Sequence, residues 1–88
     1  MSDPLEALRA RFIDRSRLDL ERLREGVQGE ALTLLVHRLA GSAGLFGFVE
    51  LGEAAGRVDM AHSNGVAPSR ADWDLLVQAL EALPGASL

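Results

Sequence analysis

The stretch VHRLAGSAGLFGF, residues 36–48, sets one histidine among small side chains. Gly41 and Gly44 follow His37 in a segment that keeps the apolar spacing of a helix. Each glycine inside a helix costs about 1 kcal/mol relative to alanine, so two of them need a reason. A neutral imidazole nitrogen is available near pH 7 and can act as a nucleophile. The stretch predicts a reactive histidine on a helix face that a partner approaches closely.

A helical wheel separates this histidine from the apolar side of its helix. At about 100° per residue, His37 lies opposite a buried side made of Leu32, Leu35, Leu39, Ala43 and Phe46. Ala40, Gly41 and Gly44 flank His37 on its own face, where a stable surface helix would carry long polar side chains. The pattern predicts a docking surface on which the small residues around His37 let a partner come close to the helix.

Leu34 and Leu45 border the same face and are predicted to form an apolar rim beside the histidine, unless a neighbouring helix buries them. His62 has no such small neighbours and lies near the end of a predicted helix, where a cation suits the helix dipole. We interpret His62 as structural. A metal site built on the two histidines would need further ligands that the sequence does not arrange.

Composition narrows the class of protein. The chain has 88 residues, 48% of them hydrophobic, which suffices for one small packed domain over residues 1–88. It has no cysteine, which excludes disulfides, a thiol nucleophile and cysteine-based metal sites. The net charge of -4 gives no support for a nucleic-acid or membrane partner. With neither a membrane-length apolar run nor a secretory signal at the N-terminus, we expect a cytoplasmic monomer.

The elements that must position the histidine are helices. Apolar spacings of three and four predict helices over residues 3–26, 29–46, 48–62 and 69–83, and no segment alternates like a strand. Asp3 or Ser2 is expected to cap the first helix, and Gly47 and Pro84-Gly85 are expected to end the second and fourth. The fold class is therefore predicted to be all-α, an antiparallel up-down four-helix bundle.

The first helix carries an apolar stripe and a charged face. Its stripe comprises Leu5, Leu8, Phe12, Ser16, Leu20, Leu23 and Val27. Ile13 and Leu18 lie off this stripe, which predicts either a wide stripe or a kink near Ser16. The charged residues from Arg9 to Glu25 mix both signs at helical spacing and are expected to form a solvated face, with some arginines near His37.

The residues around His37 resemble a known signature. His37-x-Leu39-x-Gly41-Ser42-Ala43-x-x-x-Gly47 is similar to the motif of histidine-containing phosphotransfer (HPt) domains, roughly H-x-L-K-G-S-[AS]-x-x-x-G. The motif covers about a dozen residues, and its place on the second helix of a predicted small bundle makes it fairly specific.

The resemblance implies a function as well as a fold. It implies a phosphocarrier rather than an enzyme with an ATP-binding domain, and a phosphoryl group carried on His37, usually at Nε2. The group would be exchanged with an aspartate on the receiver domain of a response regulator or hybrid kinase. That partner would supply an acidic pocket and Mg²⁺, so this chain would bind no cofactor. Gly41 would leave room above the imidazole, and Gly44 would let the receiver's loops come close.

One position departs from the family pattern. HPt domains often have lysine three residues after the histidine, in contact with the phosphoryl group, and Ala40 stands there in this chain. Arg38 is the first alternative cation, and Arg57 on the third helix is a weaker one because Glu53 can pair with it. The substitution bears on transfer rate and phosphoryl stability more than on the function itself.

Two other functions stay open from the sequence. A degenerate fragment of a histidine-kinase dimerisation domain would be a stable dimer, and it is expected to carry an acidic residue where this chain has Arg38. A non-catalytic adaptor would bind receivers without phosphotransfer, and the missing lysine is the feature that favours it.

Overall fold

The computed structural model describes residues 3–84, which form four α-helices and one short 3₁₀ helix. The α-helices are α1 (Pro4–Arg24), α2 (Gly29–Ser42), α3 (Val49–Ser63) and α4 (Arg70–Glu81), and the 3₁₀ helix is Ala43–Phe46. Within residues 3–84 no strand occurs, so the predicted all-α class is confirmed.

Helix α1 begins and ends for local reasons. The carboxylate of Asp3 accepts a hydrogen bond from the amide of Leu5 at 3.0 Å, and Pro4 occupies the first turn. The helix stops at Arg24, two residues before the predicted end, because Gly26 adopts a left-handed φ of 88°. Ser2 and Gly85, which were alternative capping or stop positions, lie outside the described residues.

The second helix changes geometry before its predicted end. The α-helical part stops at Ser42, and Ala43–Phe46 continue as a 3₁₀ helix. Gly47 then takes a φ of 85°, and its amide donates to the carbonyl of Gly44 at 3.2 Å. Tightening into a 3₁₀ turn is a common way for a helix to end, and here it brings the chain directly into α3.

Neighbouring helices run antiparallel. Arg38 of α2 meets Asp19 of α1, whereas Leu32, earlier in α2, shares a depression with Leu23, later in α1. The same reversed order joins α2 to α3, where His37 meets Asp59 and Gly44 approaches Gly52. The bundle closes on a shared core of Phe12, Leu20, Leu35, Val36, Leu39, Ala43, Leu51, Ala54, Ala55, Val58, Leu76, Leu80 and Leu83.

The start of α1 differs from its predicted stripe. Leu5 and Leu8 are exposed, and Phe12 is the first residue of α1 that reaches the core. Phe12 packs on the rings of Phe46 and Phe48, with centroids 5.1 and 5.7 Å away. Because the α2–α3 connection ends the bundle at this level, the earlier turns of α1 project past it. The molecule is accordingly elongated, 46 × 23 × 21 Å.

Further along α1, the pattern of burial favours the wider stripe. The helix is continuous from Pro4 to Arg24. Ile13 packs partly against the core while Leu18 is exposed, which makes the buried stripe wider on one side only. The expectation of a wholly solvated charged face was wrong at Asp19, which is 1% exposed.

Candidate functional site

His37 lies in the middle of α2 and points away from the core. Leu35, Val36 and Leu39 face inward and anchor this part of the helix. The imidazole is consequently 74% exposed. A β-carbon placed on Gly41 would meet no atom within 4 Å, and the same is true of Gly44. The space beside the histidine is therefore open to another molecule.

Helix α3 supplies a carboxylate to one nitrogen of this imidazole. Nδ1 of His37 lies 3.1 Å from Oδ1 and 3.2 Å from Oδ2 of Asp59. Val58 and Ala55 are buried against the core, which fixes α3 so that Asp59 faces α2. Because a carboxylate only accepts hydrogen bonds, we assign the proton of the neutral imidazole to Nδ1. Nε2 then keeps its lone pair on the exposed side of the ring.

Arg38 makes a contact of a different kind, towards α1. Its guanidinium donates two hydrogen bonds to Asp19, from Nη1 to Oδ2 at 3.0 Å and from Nη2 to Oδ1 at 2.9 Å. The Asp19 carboxylate is buried, so the pair joins α1 to α2 directly behind the histidine. A contact of Arg38 with a phosphoryl group stays a prediction.

The two leucines predicted to form an apolar rim are both exposed. Leu34 is exposed on α2 and Leu45, in the 3₁₀ helix, is 76% exposed. The alternative that a neighbouring helix buries them was wrong, since both side chains are mostly exposed. The exposed side chains of Leu34 and Leu45 leave apolar surface that a partner can cover.

The remaining candidate residues are placed as follows. Ala40 is partly buried against the core and brings no charge to the site. Arg57 is exposed on α3 and lines a depression towards α4 with Leu75 and Gln78, away from the groove that His37 lines. His62 packs beside Trp73, with ring centroids 6.0 Å apart, consistent with a structural interpretation.

Sequence reasoning missed two aspartates. Asp59 stands 22 residues from His37, and no local spacing connects them. The burial of Asp19 could have been predicted from the sequence. Asp19 follows Ser16 by three residues and precedes Leu23 by four, so it lies on the side of α1 that faces the core. A charged residue at such a position predicts a buried partner, and Arg38 is that partner.

Residues 3–84 contain neither a membrane-spanning helix nor a cluster of metal ligands. Over residues 3–84 no helix is long and apolar enough to cross a membrane. Across the same residues, no three histidine, aspartate or glutamate side chains gather closely enough to hold a metal ion.

The chain matches a model of a known protein family. The family model described as "Hpt domain" matches residues 7–86, nearly the whole chain. Neither the curated proteins nor the solved structures compared with the chain gave a match. The family match confirms the resemblance carried by the motif around His37: the chain belongs to the Hpt domain family, which acts in histidine phosphotransfer in phosphorelay signalling.

Proposed function

We propose that His37 accepts a phosphoryl group from the aspartyl phosphate of a receiver domain and passes it to another receiver. The observation that carries this proposal is the orientation of the imidazole. Asp59 is hydrogen-bonded to Nδ1 of a largely exposed imidazole, and open space adjoins Gly41 on the same helix, so Nε2 is the nitrogen left for a partner. A carboxylate that hydrogen-bonds one ring nitrogen orients the imidazole and activates the other nitrogen as the nucleophile.

The transfer step uses the lone pair on Nε2. Nε2 attacks phosphorus, an N–P bond forms, and the P–O bond to the donor aspartate breaks, with its electron pair leaving on the aspartate carboxylate. The ring becomes positively charged, and the Nδ1 proton remains hydrogen-bonded to Asp59, whose negative charge stabilises it. Transfer to a second receiver is the reverse step, with an aspartate oxygen attacking phosphorus.

The surroundings of His37 suit a carrier rather than a hydrolase. Among residues 3–84, the carboxylate within hydrogen-bonding distance of the imidazole is that of Asp59, and it faces Nδ1. This carboxylate contacts Nδ1 rather than Nε2, so it is not placed to activate a water molecule that attacks a phosphoryl group on Nε2. In this proposal the receiver brings the acidic pocket and Mg²⁺. This chain contributes the nucleophile and, at Gly41 and Gly44, a surface without side chains that the receiver can approach closely.

The test is phosphoryl transfer from a panel of pre-phosphorylated receiver domains. The native chain is compared with His37→Ala, and His62→Ala is the matched control because His62 is the second of two histidines. We expect acid-labile label on the native chain and on His62→Ala, and none on His37→Ala. Label that persists in His37→Ala would overturn the proposal.

A non-catalytic adaptor is the second candidate, and one observation favours it. Ala40 leaves the His37 face of α2 without the cation that the family pattern places there. Receiver binding without any transfer to His37, with each receiver shown active on another carrier, would establish the adaptor. A stable dimer by mass in solution would instead indicate a kinase dimerisation fragment, whereas the carrier is proposed to be monomeric.

A further inference from the structure

A groove beside His37 carries a charge opposite to that of the chain. It has a volume of ≈ 430 Å³ and lies between α1 and α2, where His37 and Arg38 share its wall with Arg15 and Arg22. Its other lining residues are apolar, Leu34 among them. No carboxylate lines this groove, although the whole chain has a net charge of -4.

The two α1 arginines are free for a partner. Arg15 and Arg22 are exposed, and neither forms an ion pair with a residue in the described range 3–84. They are seven residues apart, about two helical turns, so they project from the same side of α1. Asp19 lies between them, but its carboxylate is buried and already bound by Arg38.

The groove also has a defined position relative to the histidine. Asp59 holds the imidazole from the α3 side, whereas Arg15 and Arg22 approach from α1. A partner that covers Nε2 therefore meets positive charge on the α1 side. Exposed Leu34 gives the same groove an apolar contact point.

We infer that this groove is the docking surface for an acidic face of a receiver domain, with carboxylates at Arg15 and Arg22 and an apolar side chain against Leu34. Exposed charges at the edge of an interface raise association rates and favour partners of opposite charge. Their effect weakens as the salt concentration rises. The inference rests on the proposed function and deepens it. It makes Arg15 and Arg22 specificity-determining residues rather than catalytic ones.

The experiment measures equilibrium binding of unphosphorylated receiver domains, so it does not depend on transfer. The probe is the receiver in the panel that binds the native chain most tightly. Arg15→Glu and Arg22→Glu are compared with Arg70→Glu, an exposed arginine at the start of α4 that makes the same change in net charge. Circular dichroism verifies folding, and Arg→Gln variants replace any glutamate variant that fails to fold.

We expect each groove variant to raise the dissociation constant by about tenfold at low salt, with a smaller ratio at high salt. Arg70→Glu should leave it within about twofold. In the transfer assay the groove variants should raise KM and leave kcat at saturating receiver unchanged.

Three results of the binding experiment would overturn the inference: unchanged binding in both groove variants, an equal loss in Arg70→Glu, or no receiver in the panel that binds the native chain. A loss of kcat without a change in KM would also overturn it, because the arginines would then act on the phosphoryl group. The proposed function fails separately, when receivers bind but His37 is never labelled.

Discussion

Oδ1 of Asp59 on α3 lies 3.1 Å from Nδ1 of His37 on α2, which fixes the ring of an otherwise exposed side chain. The contact crosses between two helices, so the packing of α3 on α2 determines the orientation of the nucleophile. Gly52 of α3 lies close to the 3₁₀ helix there, since a β-carbon on it would be in ordinary van der Waals contact, 3.6 Å from the backbone nitrogen of Gly44.

Substitutions at Asp59 test this relationship. Asp59→Asn keeps an oxygen acceptor but loses the negative charge, and Asp59→Ala loses both. With a charge-assisted hydrogen bond contributing roughly 1–2 kcal/mol, transfer should slow by about tenfold in Asp59→Ala and by less in Asp59→Asn. Initial rates from a phosphorylated receiver provide the measurement. Equal rates in all three chains would show that Asp59 does not orient His37.

The buried pair between α1 and α2 should dominate the stability of this region. Arg38→Ala leaves the Asp19 carboxylate buried without a partner, so the free energy of unfolding in urea should fall by about 3 kcal/mol. Arg70→Ala, at an exposed position, should change it by less than about 0.5 kcal/mol. The double variant Asp19→Leu/Arg38→Met should recover much of the loss. A loss in Arg38→Ala as small as that in the control would contradict the account.

Gly41 should separate stability from function. Because open space surrounds its position, Gly41→Leu should stabilise α2 by roughly 0.5–1 kcal/mol while it obstructs a docked partner. Ala71→Leu adds similar bulk at an exposed position on α4 and should leave transfer unchanged. Thermal melts and transfer rates are measured together. Rapid transfer by a stabilised Gly41→Leu chain would show that no partner approaches this face closely.

The exposed leucine in the 3₁₀ helix should matter for binding alone. Leu45→Ala should change the free energy of unfolding by less than about 0.5 kcal/mol, because the side chain is already in solvent. It should weaken receiver binding several-fold, as loss of an apolar contact does. Leu75→Ala, exposed on α4, is the control and should bind normally. The rim assignment fails when titrations give equal affinities for both variants.

The spacing of apolar residues along the chain predicts most of the fold and the position of the nucleophile. Helical spacing places His37 opposite Leu35 and Leu39, and the structure finds those leucines buried and the histidine exposed. The spacing of residues along one helix does not give the distances between residues on different helices. The contact with Asp59 depends on the rotation of α3 against α2, which no spacing within either helix determines.

The helix ends show a second limit of the same kind. Spacing continues smoothly through Ala43 and Phe46, so it predicts one helix where the chain tightens into a 3₁₀ turn. Likewise, Leu5 and Leu8 repeat at helical spacing, yet they project beyond the level at which Phe48 ends the bundle. Periodicity reports which side of a helix is apolar, and the lengths of neighbouring helices decide how much of that side is covered.

The central claim is that Nε2 of His37 carries the phosphoryl group while Nδ1 stays protonated against Asp59. The most direct measurement is ¹⁵N and ³¹P NMR of the chain after phosphorylation by a receiver. We predict a single N–P coupling, at Nε2 of His37, with a protonated Nδ1. A phosphoryl group on Nδ1, on His62 or on a carboxylate would contradict the account.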